Sequence, residues 1–160
     1  MEKTIQNVIA YLHKNNLKLV TAESCTGGWV AKIITDVAGS SAFFDRGFVT
    51  YSNESKQEML GVQEKTLERY GAVSEQVVAE MVQGALKYSK AEIAIAVSGI
   101  AGPSGGSQEK PVGTACFAWM QLGKKPITET VLFEGDRNNI RENSVKYVLN
   151  GIIEKTDEKI

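Results

Sequence analysis

The sequence predicts an α/β fold, a single-domain three-layer α/β/α sandwich with a mixed β-sheet, and three observations carry that prediction. Helix-like and strand-like segments alternate in the order α-β-α-β-α-α-α-β-β-β-α. The run Ile93 to Val97 is wholly apolar, as suits a central strand covered on both faces. Two later strand-like runs are joined by a tight turn, which adds an antiparallel hairpin and makes the sheet mixed. With 160 residues, no internal repeat and no linker, the chain reads as one domain over 1–160.

In chain order, Ile5, Val8, Ile9 and Leu12 recur at helical spacing and give a first amphipathic helix. Leu17 to Thr21 reads as a short buried strand entering a turn at Ser24. A helix follows from about Gly27, with Val30, Ile33, Ile34 and Val37 on one face, until Ala38-Gly39-Ser40-Ser41 breaks it. Phe43 to Tyr51 is the second strand. Asn53 is the expected N-cap of a short helix ending at Gly61, and another short helix runs through Leu67 to near Gly71. Ser74 caps a longer helix that turns Val78, Met81, Val82, Ala85 and Leu86 inward. After the central strand, Gly99 to Gly113 is a long Gly/Pro/Ser-rich loop. Thr114 to Gln121 and Ile127 to Phe133 form the hairpin around Gly123-Lys124. The last helix begins after Asp136 with Ile140, Val148, Leu149, Ile152 and Ile153 inward, and Glu154 to Ile160 is expected to fray.

Composition excludes several classes. Formal net charge is −1, from 18 basic and 19 acidic side chains, so no broad basic field points to a nucleic-acid partner. No segment approaches the ~20 apolar residues that span a bilayer, and no apolar signal core opens the chain. Cys25 and Cys116 are too few for a disulfide scaffold and suit a reducing, cytoplasmic setting. Metal and cofactor are both expected to be absent, since no ligand cluster is evident.

Histidine usage narrows the chemistry. His13 is the sole histidine and sits near the end of the first helix, where a solvated or partly packed side chain is the default. A Ser-His-Asp triad is therefore improbable, and a hydrolase here would need Lys, Glu or Tyr as base. Gly102-Pro103-Ser104-Gly105-Gly106 matches G-x-S-x-G, but no helix pattern or histidine follows it. Ser107-Gln108-Glu109-Lys110 matches S-x-x-K, yet Pro111 pushes Lys110 away from helical geometry. Both are read as chance matches. Neither the Walker-type phosphate loop nor the dinucleotide fingerprint is present.

Three segments remain. Glu23-Ser24-Cys25-Thr26-Gly27-Gly28 turns from a buried strand into a helix, where unobstructed N–H groups favour a phosphate or an oxyanion. A plain turn capped by Ser24 or Thr26 is the alternative. Tyr51-Ser52-Asn53-Glu54-Ser55-Lys56 places a lysine in the first turn of a helix, whose dipole would lower its pKa towards that of a general base; an ordinary surface lysine is the alternative. The segment Ser98 to Ser107 leaves the carboxyl end of a central strand, where open α/β sheets bind ligands. It is otherwise a flexible loop, although a loop this long in a small domain is more often functional.

Together these segments resemble the C-terminal domain of the CinA family in its stand-alone form, the nicotinamide-nucleotide amidases. The matching stretches are Thr21–Gly28, Ala38–Ser41, Arg46–Lys56, Gly71–Ser74, Ser98–Gly106, Lys110–Thr114 and Gly135–Arg137, in family order over nearly the whole chain. The resemblance implies hydrolysis of the carboxamide of nicotinamide mononucleotide (NMN) to nicotinate mononucleotide and ammonia, in pyridine-nucleotide recycling. It implies a Ser/Lys dyad, with Ser24 as nucleophile and Lys56 as base, and a homodimer. Thr26 is then expected to assist the backbone N–H groups of Cys25 to Gly28 at the oxyanion, and Tyr51 to tune Lys56 or orient the ring. Gly27, Gly28, Ser40, Ser41, Arg46, Gly102, Gly105, Lys110 and Arg137 are candidate substrate contacts, the arginines because a guanidinium grips phosphate with two donors. Cys25 is the rival nucleophile. A non-catalytic nucleotide-binding or interaction module is the competing function, against which intact Ser24, Tyr51 and Lys56 argue. A DNA-associated role has only the family's name behind it, and the isoelectric point near 5.9 opposes it.

Overall fold

Residues 1–157 are described by a computed structural model. Six helices, α1 (Glu2–Lys14), α2 (Trp29–Thr35), α3 (Asn53–Leu60), α4 (Glu64–Tyr70), α5 (Glu75–Lys87) and α6 (Arg137–Thr156), flank one five-stranded sheet. Its strands are β1 (Leu19–Glu23), β2 (Phe44–Val49), β3 (Ile93–Gly99), β4 (Thr114–Gln121) and β5 (Ile127–Leu132), in the order β2-β1-β3-β4-β5. The pairs β1–β2 and β1–β3 are parallel, while β3–β4 and β4–β5 are antiparallel. The sheet is mixed, as the hairpin required.

Strand alternation sorts the core into two layers. Leu19, Ile93, Ile95, Val97, Phe117 and Trp119 face α1, α2 and α6. Val20, Ala22, Ala94, Ala96 and Ala118 face the opposite way, against α3, α4 and α5. The second face is lined by alanines, so α5 can lie close on the sheet. Gly84 extends that closeness to the next helix: a Cβ there would stand 1.9 Å from the carbonyl oxygen of Leu60, at the end of α3. The helix that carries Lys56 is thus wedged against α5 by a missing side chain.

Several boundaries differ from the sequence reading for identifiable reasons. β1 begins at Leu19, two residues later than expected, because Asn16 adopts a left-handed conformation and Leu17 N–H still bonds Leu12 in α1. It also runs on through Glu23, a charged residue at which a buried strand should stop. Glu23 is tolerated because both its carboxyl oxygens are hydrogen bonded inside the protein. α2 starts at Trp29 rather than Gly27, and it ends at Thr35, leaving Ile33 and Val37 only partly buried. β2 is shorter than Phe43 to Tyr51, and Ser40–Ala42 form a single 3₁₀ turn before it.

The cap of α3 is Ser52, not Asn53: its hydroxyl accepts from Ser55 N–H at 3.1 Å, and Ser55 Oγ accepts from Ser52 N–H at 3.1 Å. At the other end of the chain, α6 continues through Thr156, so the expected fraying from Glu154 is corrected. Lys155 pairs with Glu129, and buried Thr156 donates to the Ile152 carbonyl. The rest of that expected tail, 158–160, lies outside the described residues.

The Gly84 contact predicts an outcome. Gly84→Ala should cost about 1–3 kcal/mol in chemical denaturation, the usual range for overpacking, and should lower activity as well by shifting α3. A variant with unchanged stability would show that α3 and α5 are not locked together at this point.

Candidate active site

The parallel strands β1 and β3 end side by side where the chain order of the sheet reverses, β1 leading outward to β2 and the later crossover returning to β3. Pairing continues past β1: Ser24 N–H donates to Val97 O at 2.9 Å, and Thr50 N–H donates to Glu23 O at 2.9 Å. Ser24 is therefore held at the mouth of a cleft of about 280 Å³, which Tyr51, Asn53, Lys56, Ser98, Gly102 and Arg137 also line. A larger groove of about 730 Å³ lies beyond Val73, between α5 and β5, but it contains no comparable pair of reactive side chains. Size alone does not locate the chemistry.

Within the cleft, Lys56 Nζ lies 3.0 Å from Ser24 Oγ and donates to the Thr50 carbonyl at 2.9 Å. Lys56 is only 1% exposed and Ser24 8%. A neutral amine has two N–H donors and one lone pair. With one N–H fixed on Thr50 O, the lone pair can receive the Ser24 proton. Burial lowers the Lys56 pKa from its ordinary value, against opposing effects of Cys25 and Glu54. Desolvation, rather than the dipole of α3, is the leading cause of that lowering.

Cys25 is arranged differently. Its thiol packs on Gly99, where a Cβ would sit 3.2 Å from the sulfur, and it belongs to the core layer beneath α2 and α6. Burial pushes the thiol up to about 11, with the Arg141 charge opposing the rise. Such a thiol remains protonated at neutral pH and is a poor nucleophile.

The turn after Ser24 is held by its own hydrogen bonds. Gly27 and Gly28 take positive φ values of 60° and 98°, and Gly27 N–H closes back on Ser24 O at 3.0 Å. Glu23 then accepts from Val30 N–H at 2.8 Å, Ala31 N–H at 3.1 Å and the Thr26 hydroxyl at 2.7 Å. The start of α2 is thereby filled by a side chain of the protein. Thr26 is fully buried and its hydroxyl is committed to Glu23, which corrects its expected place beside an oxyanion.

The remaining candidates divide. Arg137 stands at the cleft rim, donating to Gly102 O at 2.7 Å and to the Tyr51 hydroxyl at 3.2 Å, so it ties the 100–113 loop to the segment after β2. Gly102 and Gly105 line the same cleft. Ser40 and Ser41 lie before β2, at the opposite end of the sheet from Ser24, and Arg46 is turned to Asp45 and the Tyr88 carbonyl. None of the three lines the cleft. Gly27 and Gly28 border a separate hollow with Trp29 and Arg141, and Lys110 reaches Tyr70 O across the larger groove. Ser104 leads into no helix, and Ser107 and Lys110 close a turn on each other, so neither chance motif forms a catalytic pair.

Glu23 and Ser98 lie in candidate segments and Asn53 is expected as a helix cap, but none of the three, nor Arg141, is assigned a role of its own at the site by the sequence. Glu23 carried a signal, an acid inside an apolar strand. Arg141 carried another, since it lies four residues after Arg137 on one helix. Ser98 is buried and donates to Ala72 O at 2.8 Å, fastening the Gly71–Ser74 turn to the cleft wall. Among the described residues, no group of three or more His, Cys, Asp or Glu is placed to hold a metal ion, and no helix is long and apolar enough to cross a membrane.

A sequence model of the CinA C-terminal domain matches residues 1–156. The chain is 60% identical over 131 residues to the nicotinamide-nucleotide amidohydrolase PncC of Escherichia coli K12, covering 82% of this chain and 79% of that one. It is 49% identical over 144 residues to the protein of the same name from Pseudomonas putida, covering 90% and 89%. The crystal structure of the competence/damage inducible protein CihA from Agrobacterium tumefaciens superposes with a TM-score of 0.93 at 44% identity, over 96% of this chain and 93% of that one.

The buried lysine sets a pH dependence. Between its lowered pKa and the ordinary value of ~10.4, the unfolded chain holds a proton that the folded chain has released. Stability contributed by this site therefore rises with pH across that window and is lost as pH falls through the lowered value. The stability of Lys56→Met relative to the native chain should therefore be greatest at neutral pH and decline as pH approaches ~10.4. Denaturant titrations at neutral and alkaline pH measure it.

Proposed function

This chain belongs to the CinA C-terminal domain family, and we propose that it is a nicotinamide-nucleotide amidase that hydrolyses the carboxamide of NMN to nicotinate mononucleotide and ammonia. The observation that carries the reading is the buried contact of 3.0 Å between Lys56 Nζ and Ser24 Oγ. The names of the relatives from Escherichia coli and Pseudomonas putida support the substrate class.

In the proposed reaction, neutral Lys56 takes the Ser24 proton as Ser24 Oγ bonds to the amide carbon. The carbonyl oxygen becomes an oxyanion and meets backbone N–H groups of the turn after Ser24. As the tetrahedral species collapses, the C–N bond breaks and Lys56 returns its proton to the departing nitrogen, releasing ammonia. Water, deprotonated by the same amine, then cleaves the ester to give the carboxylate and restore Ser24. Arg137 supplies a cation at the rim for the phosphate or ribose, Tyr51 is held by Arg137 where it can flank the ring, and Gly102 and Gly105 let the loop backbone approach the nucleotide.

Recycling of pyridine nucleotides is the role such a reaction serves. A reducing cytoplasm is proposed from the two unpaired thiols, and the homodimer implied by the resemblance belongs to the same proposal.

Ammonia release from NMN tests the scheme. The native chain should turn NMN over, and Ser24→Ala should lose at least ~10⁴-fold in kcat while remaining folded. Loss of the general base in Lys56→Met should cost about 10²–10⁴-fold. Cys25→Ser should keep activity. Turnover by Ser24→Ala at the native rate would remove the dyad.

A further inference from the structure

Arg141 takes part in no step of the scheme above, yet its side chain is spent on the backbone of the Ser24 turn. Its Nε donates to Cys25 O at 3.0 Å and its Nη2 to Thr26 O at 3.2 Å, while its guanidinium lies over the Trp29 ring at 5.4 Å. A fork that binds two successive carbonyls fixes the rotation of two successive peptide groups. The consequence falls on the N–H groups, because in a trans peptide the N–H points opposite to the carbonyl.

A count of donors shows which N–H group is at stake. Ser24 N–H is used by Val97 O, and Gly27 N–H by Ser24 O. Val30 and Ala31 N–H are used by Glu23. Cys25 N–H is turned to its own sulfur, so Thr26 N–H is the donor nearest Ser24 that meets no hydrogen-bond acceptor among the described residues, with Gly28 N–H the next along the turn. The Thr26 N–H belongs to the same peptide group as the Cys25 carbonyl. Arg141 borders the hollow formed by Thr26, Gly27, Gly28 and Trp29, whereas Ser24 and Cys25 line the cleft. Drawing the carbonyls into that hollow directs the Thr26 N–H away from it.

We infer that Arg141 is a positioning residue for the amidase reaction: by holding the Cys25 and Thr26 carbonyls, it presents the Thr26 N–H to the oxyanion formed at Ser24. This rests on the Ser24/Lys56 reading above. Without the guanidinium, the Cys25–Thr26 peptide can rotate and offer a carbonyl oxygen where a donor is needed. Substrate binding does not require the donor until charge develops on the carbonyl oxygen, so the loss belongs to kcat. Glu23 supports the same turn from its other side, through Thr26 Oγ1 and the first amides of α2.

The experiment compares Arg141→Met, Arg141→Lys and Ser24→Ala for kcat and KM with NMN, inhibition by nicotinate mononucleotide, and melting temperature. Arg141→Met is expected to lose about 10²-fold in kcat, with KM and product inhibition nearly unchanged. Arg141→Lys keeps the charge but not the fork; it is the variant to read if Arg141→Met does not fold, and it should lose part of kcat at unchanged KM. Added ethylguanidinium should restore some kcat to an Arg141→Ala chain, which a general loss of packing would not allow. Native kcat in both the Met and Lys variants overturns the inference, as does a parallel loss of kcat, KM and product inhibition. An active Ser24→Ala chain overturns the dyad and the inference together, whereas an inactive one beside fully active Arg141 variants removes the inference alone.

Discussion

A lysine amine kept out of water is the constraint on which the rest of this structure depends. In solvent Lys56 would be protonated at neutral pH almost without exception, since an ordinary lysine has a pKa of about 10.4. Burial removes the hydration that favours the ammonium form and lowers the pKa. The surroundings then offer the amine two oxygens, the Thr50 carbonyl and the Ser24 hydroxyl, and a neutral amine can donate to the first and accept from the second. Burying the amine costs stability, a trade common at sites selected for reactivity.

Much of the fold serves that placement. Ser52 caps α3 and sets where Lys56 emerges, while Gly84 lets α5 press α3 towards the ends of the strands. The alanine face of the sheet lets α5 come close enough to do so. On the other side of Ser24, the turn into α2 is gripped twice, by Glu23 on its donors and by Arg141 on its carbonyls. Ser24 and Lys56 thus come from separate elements, each fixed by packing and backbone hydrogen bonds rather than by contact with the other.

The fold was legible in the sequence because its elements announce themselves locally. Apolar runs such as Ile93 to Val97, the cap at Ser74 and the turn at Gly123 have one reading each. Ser24 and Lys56 were legible through the family resemblance, with the histidine count removing the commoner alternative. What escaped reading depends on partners distant in sequence. Glu23 ends up inside β1 because amides seven and eight residues later satisfy it, and Thr26 is buried by that same carboxyl group. Arg46 and Lys110 are basic residues in matching motifs, yet tertiary structure turns them to carbonyls outside the cleft. Arg141 acts through backbone atoms more than 110 positions away, and no local pattern encodes such a contact.

The central claim is that Lys56 is a buried amine whose proton is easily lost and which faces Ser24. Its most direct test is a titration of the Lys56 side-chain nitrogen itself, followed by NMR with selectively ¹⁵N-labelled lysine and assigned through Lys56→Met. A single lysine signal titrating below the ordinary range, and responding to Ser24→Ala, is the result this account predicts. Titration of Lys56 at or above ~10.4, indifferent to the loss of the Ser24 hydroxyl, would contradict it.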